Sequence, residues 1–325
     1  MPKVLVTARS FRQTCGEHWL PLQTVGYDIV VPSEDRPLQA AELKPLVAEV
    51  DAILVGMDEV TAEVIAAAKR LRVIAKFGVG IDNIDVAAAT HAGVAVTITP
   101  GANKEAVAEL TLGLMLALLR RLPYHDAQVR RGDWSRQTGS ELQGKTVGII
   151  GLGQIGKEVA ARLEAFRVHL LAYDLRQDEE FAAQHGVHYT SLDSLLTESD
   201  VVTLHSSLSP ASQNLIGERE LGLMKPSACL INTARGGLLD ERALARALAE
   251  SRLSGAALDV FSAEPPGESP LLTLGNKVVL TPHIGANTTE AIVRMGRIAA
   301  ESIVAVLSGE KPTGLVNPEA VSRPA

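Results

Sequence analysis

Apolar and polar positions along the chain form two repeating kinds of segment. Short runs of apolar, often β-branched residues end at glycine, proline or a polar residue, which is typical of buried strands. Between these runs lie longer segments in which apolar residues recur every three to four positions, and this spacing predicts amphipathic helices. Because strands alternate with helices, the pattern predicts parallel βαβ units and an α/β fold.

The alternation falls into two series. In the first, strands are expected at residues 4–7, 28–31, 52–55, 72–77 and 94–97, and helices at residues 40–49, 62–69 and 84–91. In the second, strands are expected at residues 146–150, 169–173, 201–204, 229–232, 256–258 and 278–280, and helices at residues 157–166, 192–198, 240–250 and 288–307. Between the two series a long helix is predicted from Asn103 to about Leu122, with Pro123 just past its end. The six strands of the second series match a doubly wound sheet.

Length and composition support an ordered protein of two domains. The chain has 325 residues, of which 46% are hydrophobic and 21% are charged. Its net charge is −7 and it has no basic run, so a nucleic-acid partner is not expected. The two cysteines, Cys15 and Cys229, lie far apart in the sequence and indicate no disulfide framework. With no signal-peptide pattern at the start, a cytoplasmic location is expected.

The most apolar stretch of the chain is residues 106–119. It is too short to span a bilayer, and Glu109 and Thr111 interrupt it, so no membrane partner is expected. Since it is apolar on all sides, it predicts a helix buried between domains or subunits.

A glycine-rich turn between two predicted strands indicates a dinucleotide site. The strand at residues 146–150 leads into Gly151-Leu152-Gly153-Gln154-Ile155-Gly156, a helix follows, and the next strand ends at Asp174. In this motif the first glycine permits the tight turn, the second lets a pyrophosphate approach the backbone, and the third lets the helix pack on the strand. The amides near Gln154 and Ile155 would face the phosphate charge. Without a ligand, the same residues would form an ordinary βα turn.

Asp174 bears on the choice of cofactor. A carboxylate at this position accepts hydrogen bonds from a ribose diol and repels a 2′-phosphate, so the sequence predicts NAD rather than NADP. Arg176, two residues further on, weakens that preference.

Three later strand ends carry ionisable residues in compact motifs. Arg235 follows one strand, Asp259 and Glu264 follow the next, and His283 follows the last. Because the carboxyl ends of parallel strands meet at one edge of a sheet, we expect these side chains at the same edge as the glycine-rich turn.

These motifs, together with Gly78-Val79-Gly80-Ile81-Asp82-Asn83-Ile84-Asp85 upstream, resemble the D-isomer-specific 2-hydroxyacid dehydrogenase family. The resemblance is greatest to the phosphoglycerate dehydrogenase branch without its C-terminal regulatory domain. It implies two Rossmann-like domains, with an NAD-binding domain at residues 100–287 inserted into a smaller α/β substrate-binding domain at residues 1–99 and 288–325. It also implies a homodimer with the long helix in the subunit contact.

The resemblance implies three catalytic residues. Arg235 corresponds to the arginine that grips the substrate carboxylate, for which a planar fork is suited. His283 corresponds to the general base that takes the C2 hydroxyl proton as hydride leaves for the nicotinamide. Glu264 corresponds to the acid that pairs with this histidine, fixes its tautomer and favours the imidazolium. A surface salt bridge, a structural histidine and a solvated acid are the respective alternatives.

Further residues match positions that line the cofactor or the substrate in the family. Asp259 corresponds to the residue that receives the nicotinamide amide, although it could instead cap a turn. The other positions that match the cofactor lining are Ser206, Thr233, Ala234, Gly285 and Ala286. The substrate carboxylate would be held by the amides of Gly78, Val79 and Gly80. Lys76 stands where the phosphoglycerate branch usually has arginine, and it would either meet a phosphate or be a solvated strand-end lysine.

Together these features predict an NAD-dependent enzyme that interconverts a small D-2-hydroxy acid and its 2-keto acid, with a 3-phosphoglycerate-like substrate as the first choice and no metal. A glyoxylate or hydroxypyruvate reductase would use the same arginine and histidine without needing Lys76. An NAD(H)-sensing corepressor or scaffold is an alternative of a different class, because the family includes a corepressor that keeps the three catalytic residues. A formate dehydrogenase is disfavoured, since that branch carries glutamine at the position of Glu264.

Overall fold

The computed structural model describes residues 1–321 and divides into two compact units. Unit 1 comprises Met1–Asn103 and the chain from Ala286 on, and unit 2 comprises Lys104–Gly285. The predicted boundaries, after residues 99 and 287, lie within a few residues of these. The substrate-binding role of unit 1 stays a prediction.

Unit 1 contains a five-stranded parallel sheet in the order β2-β1-β3-β4-β5. The strands are β1 (Lys3–Val6), β2 (Asp28–Val30), β3 (Ala52–Val55), β4 (Val73–Lys76) and β5 (Ala95–Thr97), and the helices are α1 (Arg9–Gln13), α2 (Leu20–Thr24), α3 (Ala40–Val47), α4 (Ala62–Ala67) and α5 (Val86–His91). All five strands were predicted. Helices α1 and α2 were missed, because each has only five residues and so shows no clear helical period.

Unit 2 contains a seven-stranded parallel sheet in the order β12-β11-β10-β9-β6-β7-β8. Its strands are β6 (Thr146–Ile150), β7 (His169–Tyr173), β8 (Val187–Tyr189), β9 (Val201–Leu204), β10 (Cys229–Asn232), β11 (Gly255–Leu258) and β12 (Val278–Leu280). Its helices are α6 (Lys104–Leu119), α7 (Leu122–Arg130), α8 (Gln154–Leu163), α9 (Glu179–His185), α10 (Leu192–Glu198), α11 (Glu218–Leu223) and α12 (Glu241–Ala249). The last helix of the chain, α13 (Thr289–Ser308), belongs to unit 1.

Two expectations for unit 2 were wrong. The sheet has one strand more than predicted, since β8 is a three-residue edge strand whose central His188 is exposed, and so short a run gives no apolar signal. Pro123 does lie past the end of the long helix, since α6 ends at Leu119 rather than near Leu122, but a further helix that was not predicted begins there. Pro123 occupies the first turn of this helix, α7, where its missing N–H costs no hydrogen bond. A proline near a helix boundary is compatible with either a stop or a start, so the sequence did not distinguish them.

Half of the residues of the apolar stretch in α6 are buried within its own unit. Leu114, Met115 and Leu118 are buried and belong to the same core cluster as Val147 and Ile149 of β6. Over residues 1–321, no helix combines the length and the apolar character needed to cross a membrane.

Candidate active site

The glycine-rich turn follows β6 and contains glycines of two kinds. Gly151 has φ +94°, and a Cβ there would lie 2.6 Å from the amide nitrogen of Ser206. A Cβ on Gly156 would collide with the carbonyl oxygen of Gly151. By contrast, Gly153 has an ordinary negative φ, and a Cβ built on it would meet no atom within 4 Å. The fold therefore needs glycine at 151 and 156 but not at 153, and the open space above Gly153 fits the close approach of a pyrophosphate.

Helix α8 begins directly after this turn. Gly153 is its N-cap and supplies no side-chain hydrogen bond. The first amides of the helix, which include those of Gln154 and Ile155, have no intrahelical acceptor and present partial positive charge. Such a helix start suits an anionic ligand, so these residues fit the phosphates of a dinucleotide.

Asp174 follows β7 directly and lies beside the turn. Its Oδ2 accepts a hydrogen bond from the amide of Leu152 (2.6 Å), and its Oδ1 accepts one from the amide of Arg176 (2.9 Å). A carboxylate has about four acceptor sites, so two such bonds leave capacity for a ribose diol. These bonds fix the carboxylate next to the phosphate-binding turn, while its contact with a ribose stays a prediction.

The ends of β9 and β10 place further predicted residues at this edge. Ser206 adjoins Gly151, since a Cβ on that glycine would lie 2.7 Å from the Ser206 hydroxyl oxygen. The hydroxyl of Thr233 is buried and lies 2.8 Å from that of Thr111 on α6. The amide of Ala234 donates to Oδ1 of Asn232 (3.0 Å).

Asn232 and His205 are residues that the sequence reasoning missed. Asn232 is fully buried, and its Nδ2 donates to the carbonyl oxygen of Arg235 (2.9 Å), so it shapes the loop that carries Arg235. His205 lies 2.9 Å from Thr203 through Nε2, and burial lowers the pKa of His205 to about 3. The only signal for either was a polar residue at the end of a buried strand.

Arg235 lies in an extended conformation three residues beyond the end of β10. Its Nη1 donates to the carbonyl oxygen of Ala234 (2.6 Å). A Cβ on the neighbouring Gly236 would overlap the carbonyl group of Phe261. Glycine at 236 therefore lets the Arg235 loop pack against the segment that carries Glu264.

Asp259 is fully buried at the end of β11, and its carboxylate organises the loop after β12. Its Oδ1 accepts from the Thr281 hydroxyl (2.6 Å) and the Ile284 amide (2.8 Å), and its Oδ2 accepts from the Gly285 amide (2.8 Å). Burial raises the pKa of Asp259, and these hydrogen bonds oppose the rise. This geometry gives Asp259 a positioning role, while its contact with a nicotinamide stays a prediction. Ala286, the next residue after Gly285, is half-buried.

Glu264 and His283 form a hydrogen-bonded pair. Oε2 of Glu264 lies 2.6 Å from Nδ1 of His283, and its Oε1 accepts from the Phe261 amide (3.1 Å). Burial alone would raise the pKa of Glu264, but the hydrogen bond to His283, the charge of that ring and the charge of Arg235 together hold it below its usual value. Because Glu264 is ionised at neutral pH, Nδ1 of His283 carries its proton toward this carboxylate and Nε2 is left for proton exchange.

The glycine loop predicted to bind the substrate carboxylate follows β4 in unit 1. Gly78 has φ +136°, which favours glycine, and its carbonyl oxygen accepts from the Thr99 amide (2.9 Å). No hydrogen bond between described residues uses the amides of Val79 and Gly80, which fits the predicted anion-binding role. Lys76 is not solvated, since it is 5% exposed and its Nζ donates to Gly56 and Asn83.

Comparison with known proteins identifies the family. The model for the NAD binding domain of D-isomer specific 2-hydroxyacid dehydrogenases matches residues 112–285, more than half of the chain and all within unit 2. This chain belongs to that family. The match confirms the resemblance noted from the motifs, the two-domain α/β fold and the NAD cofactor.

Three relatives show the range of activities in the family. The chain is 45% identical over 284 residues to D-3-phosphoglycerate dehydrogenase of Methanocaldococcus jannaschii, covering 86% of this chain but 54% of that protein. It is 44% identical over 328 residues to glyoxylate reductase of Thermofilum pendens, covering 98% and 95% respectively. The structure of D-lactate dehydrogenase from Aquifex aeolicus, complexed with NAD and lactic acid, has a TM-score of 0.86 at 30% identity, covering 99% and 100%.

Proposed function

We propose that this protein uses NADH to reduce a small 2-keto acid to the D-2-hydroxy acid, and that it runs the reverse reaction with NAD. The observation that carries the proposal is the 2.6 Å hydrogen bond between Glu264 and His283 at the sheet edge that also carries the glycine-rich turn. When bound, the nicotinamide supplies or accepts the hydride. The residues of the chain must then supply a proton and hold the acid.

His283 is the proton donor in this proposal. Its Nδ1 is held by an ionised carboxylate, which favours the imidazolium and fixes the ring orientation. Nε2 therefore gives its proton to the keto oxygen during reduction and takes it from the C2 hydroxyl during oxidation. Glu264 acts through His283 and does not need to touch the substrate.

Arg235 holds the substrate carboxylate in this proposal. The packing of Gly236 on Phe261 brings the Arg235 loop and the Glu264 segment together, and the charge of Arg235 contributes to the lowered pKa of Glu264. A guanidinium at this place can bind a carboxylate through two parallel hydrogen bonds. In unit 1, the amides of Val79 and Gly80 are proposed as hydrogen-bond donors to a substrate carboxylate.

The substrate is proposed to be a small unphosphorylated acid such as glyoxylate or hydroxypyruvate. The glyoxylate reductase of T. pendens matches along nearly its whole length, and the ammonium of Lys76 is already engaged inside unit 1. The phosphoglycerate dehydrogenase of M. jannaschii is as similar in sequence, so a phosphorylated acid is the second candidate. The comparisons give no support to the corepressor alternative.

A homodimer is also proposed. Seven of the 14 residues in the α6 stretch that suggested it are buried, and exposed apolar side chains occur in the segment that follows: Leu122 is 54% exposed, Val129 53% and Trp134 75%. Exposed apolar side chains in one short segment favour a surface that meets a partner, and the partner proposed is a second copy of this chain.

The test is a steady-state assay with NADH and a panel of glyoxylate, hydroxypyruvate, 3-phosphohydroxypyruvate and pyruvate. We expect turnover of at least one unphosphorylated acid to a D-hydroxy acid. His283→Ala should lower kcat by about 10²- to 10⁴-fold while NADH still binds, because it removes the acid–base group. Absence of turnover with every acid, or an active His283→Ala variant, would contradict the proposal.

A further inference from the structure

Lys76 is the last residue of β4 and is buried, with 5% of its surface exposed. Its Nζ donates to the carbonyl oxygen of Gly56 (2.6 Å) and to Oδ1 of Asn83 (2.7 Å). An ammonium has three donors, and two of them are committed to acceptors inside unit 1. Lys76 is therefore built into the fold of this unit.

The acceptors of Lys76 belong to a wider buried network. Gly56 donates its amide to Oδ2 of Asp58 (3.1 Å), and Asp58, 1% exposed, also accepts from the Thr7 hydroxyl (2.5 Å). Nδ2 of Asn83 donates to the carbonyl oxygens of Gly56 (3.1 Å) and Asp58 (2.6 Å). The buried ammonium of Lys76 and the buried carboxylate of Asp58 are thus connected through Gly56 and Asn83. The hydrogen bonds of this network offset the cost of removing these polar groups from water.

The bond between Lys76 and Asn83 closes a loop. These two residues flank residues 77–82, the segment that contains Gly78, Val79 and Gly80. A Cβ on Gly78 would lie 3.8 Å from Cε of Lys76, which shows that the lysine stem runs alongside the loop that its ammonium closes. The loop is therefore fixed at one end by strand β4 and joined across its two ends by a charged side chain.

We propose that Lys76 is a positioning residue that sets the geometry of the 77–82 loop, and that it does not bind a substrate phosphate. This inference rests on the proposed function in one respect, namely that the amides of Val79 and Gly80 bind the substrate carboxylate. To reach a phosphate, the Lys76 ammonium would have to leave two buried acceptors, which is unfavourable unless they find other donors. Carboxylate binding should thus depend on Lys76 for every substrate, with or without a phosphate.

The experiment compares hydroxypyruvate with 3-phosphohydroxypyruvate, which differ only in the phosphate. Lys76→Met keeps the length of the side chain and removes its charge, whereas Lys76→Arg keeps the charge and changes the shape of the charged group. The control is Lys69→Met, which replaces an exposed lysine of the same unit. We expect Lys76→Met to raise KM about 10-fold or more for both acids by the same factor, because a displaced loop misplaces its amides. The Kd for NADH and the values for Lys69→Met should stay close to the wild type.

Two results would overturn the inference. In the first, Lys76→Met raises KM for the phosphorylated acid alone, or Lys76→Arg binds that acid at least as well as the wild type does. Either outcome would mean that Lys76 contacts the phosphate. In the second, Lys76→Met lowers thermal stability and the active fraction but leaves KM unchanged for both acids, so that the lysine serves only the fold. If Lys76→Met does not fold, Lys76→Arg decides the question, since the positioning role predicts an equal rise in KM for both acids.

A readout that needs no turnover separates this inference from the proposed function. Hydrogen exchange of the 77–82 segment should be faster in Lys76→Met than in Lys69→Met, because the link across the loop is lost. If the wild type reduces no keto acid but exchange accelerates as expected, the proposed function fails while the loop-closing role of Lys76 stands. If turnover is present and exchange is unchanged, the positioning role fails alone.

Discussion

The hydrogen bond between Glu264 and His283 can be tested by replacing Glu264 with glutamine, which keeps the shape of the side chain and removes its charge. In the wild type the carboxylate accepts a 2.6 Å hydrogen bond from a ring that must be protonated before it can reduce a keto acid. The Glu264 side chain is 27% exposed and the His283 side chain 33% exposed, so solvent screens the pair only in part. An amide oxygen still accepts a hydrogen bond but does not favour the imidazolium as strongly.

The magnitude follows from the two kinds of hydrogen bond. A bond to a charged group contributes about 1.5–3 kcal/mol and a neutral one about 0.5–1.5 kcal/mol, so the imidazolium loses about 1–1.5 kcal/mol of stabilisation. This corresponds to about a tenfold change in an equilibrium constant. Reduction uses the protonated ring, and Glu264→Gln makes that form less stable. The variant should therefore have a kcat/KM for reduction that is lower by up to about tenfold, with the greatest loss at the alkaline end of the pH range.

The measurement is kcat/KM for reduction against pH in the wild type, in Glu264→Gln and in a control. Glu268→Gln removes an exposed acid from the same segment and should leave the profile unchanged. Glu264→Gln should keep partial activity, since His283 remains. If the profiles of the wild type and Glu264→Gln coincide, Glu264 is not the functional partner of His283, and the pairing has to be abandoned even if the enzyme class stands.

Other predictions address the remaining parts of the site. Arg235→Lys keeps the charge but loses the planar fork, so transition-state stabilisation measured from kcat/KM should fall by about 2–4 kcal/mol, with little change in NADH affinity. Unchanged kinetics would show that the substrate carboxylate binds elsewhere. Gly156→Ala should lower the free energy of unfolding by about 1–3 kcal/mol, because its Cβ would collide with the Gly151 carbonyl oxygen. Gly153→Ala should leave the melting temperature unchanged, because its Cβ meets no atom, but it should weaken NADH binding measured by titration. Asp174→Ala should narrow the preference for NADH over NADPH about tenfold, and a wild type that prefers NADPH would refute the role of Asp174. Sedimentation at micromolar concentration should give twice the mass of one chain, and a clean monomer would exclude the proposed dimer.

The sequence predicted the parallel sheets because their strands are buried on both faces and therefore appear as apolar runs. Strands β6 and β9 match their predicted bounds, and their residues are buried apart from Thr146. Edge strand β8 was not predicted, because it has only three residues and the side chain of the middle one is exposed. The turn at Leu122 was misread because proline suits the first turn of a helix as well as the end of one.

At the site, the sequence indicated which residues carry charge but not which groups they contact. Glu264 and His283 lie far apart in the sequence, and only the parallel pairing of β11 with β12 puts their loops side by side. Lys76 appeared as a strand-end lysine, and its burial depends on Gly56 and Asn83, which no local pattern links to it. Contacts of this kind depend on tertiary packing and cannot be obtained from residue type or spacing alone.

The backbone of His283 shows why Asp259 matters beyond any contact with the cofactor. His283 has φ +52°, a conformation that is sparsely populated for residues other than glycine and unfavourable by about 1–3 kcal/mol. Around it, the amide of His283 donates to the carbonyl oxygen of Asp259 (2.8 Å), while the Asp259 carboxylate holds Thr281 on one side and Ile284 on the other. The unfavourable conformation persists because its neighbours on both sides are fixed by one buried residue. The same buried residue therefore sets the direction in which the imidazole meets Glu264, and a change at Asp259 should disturb proton transfer together with any cofactor contact.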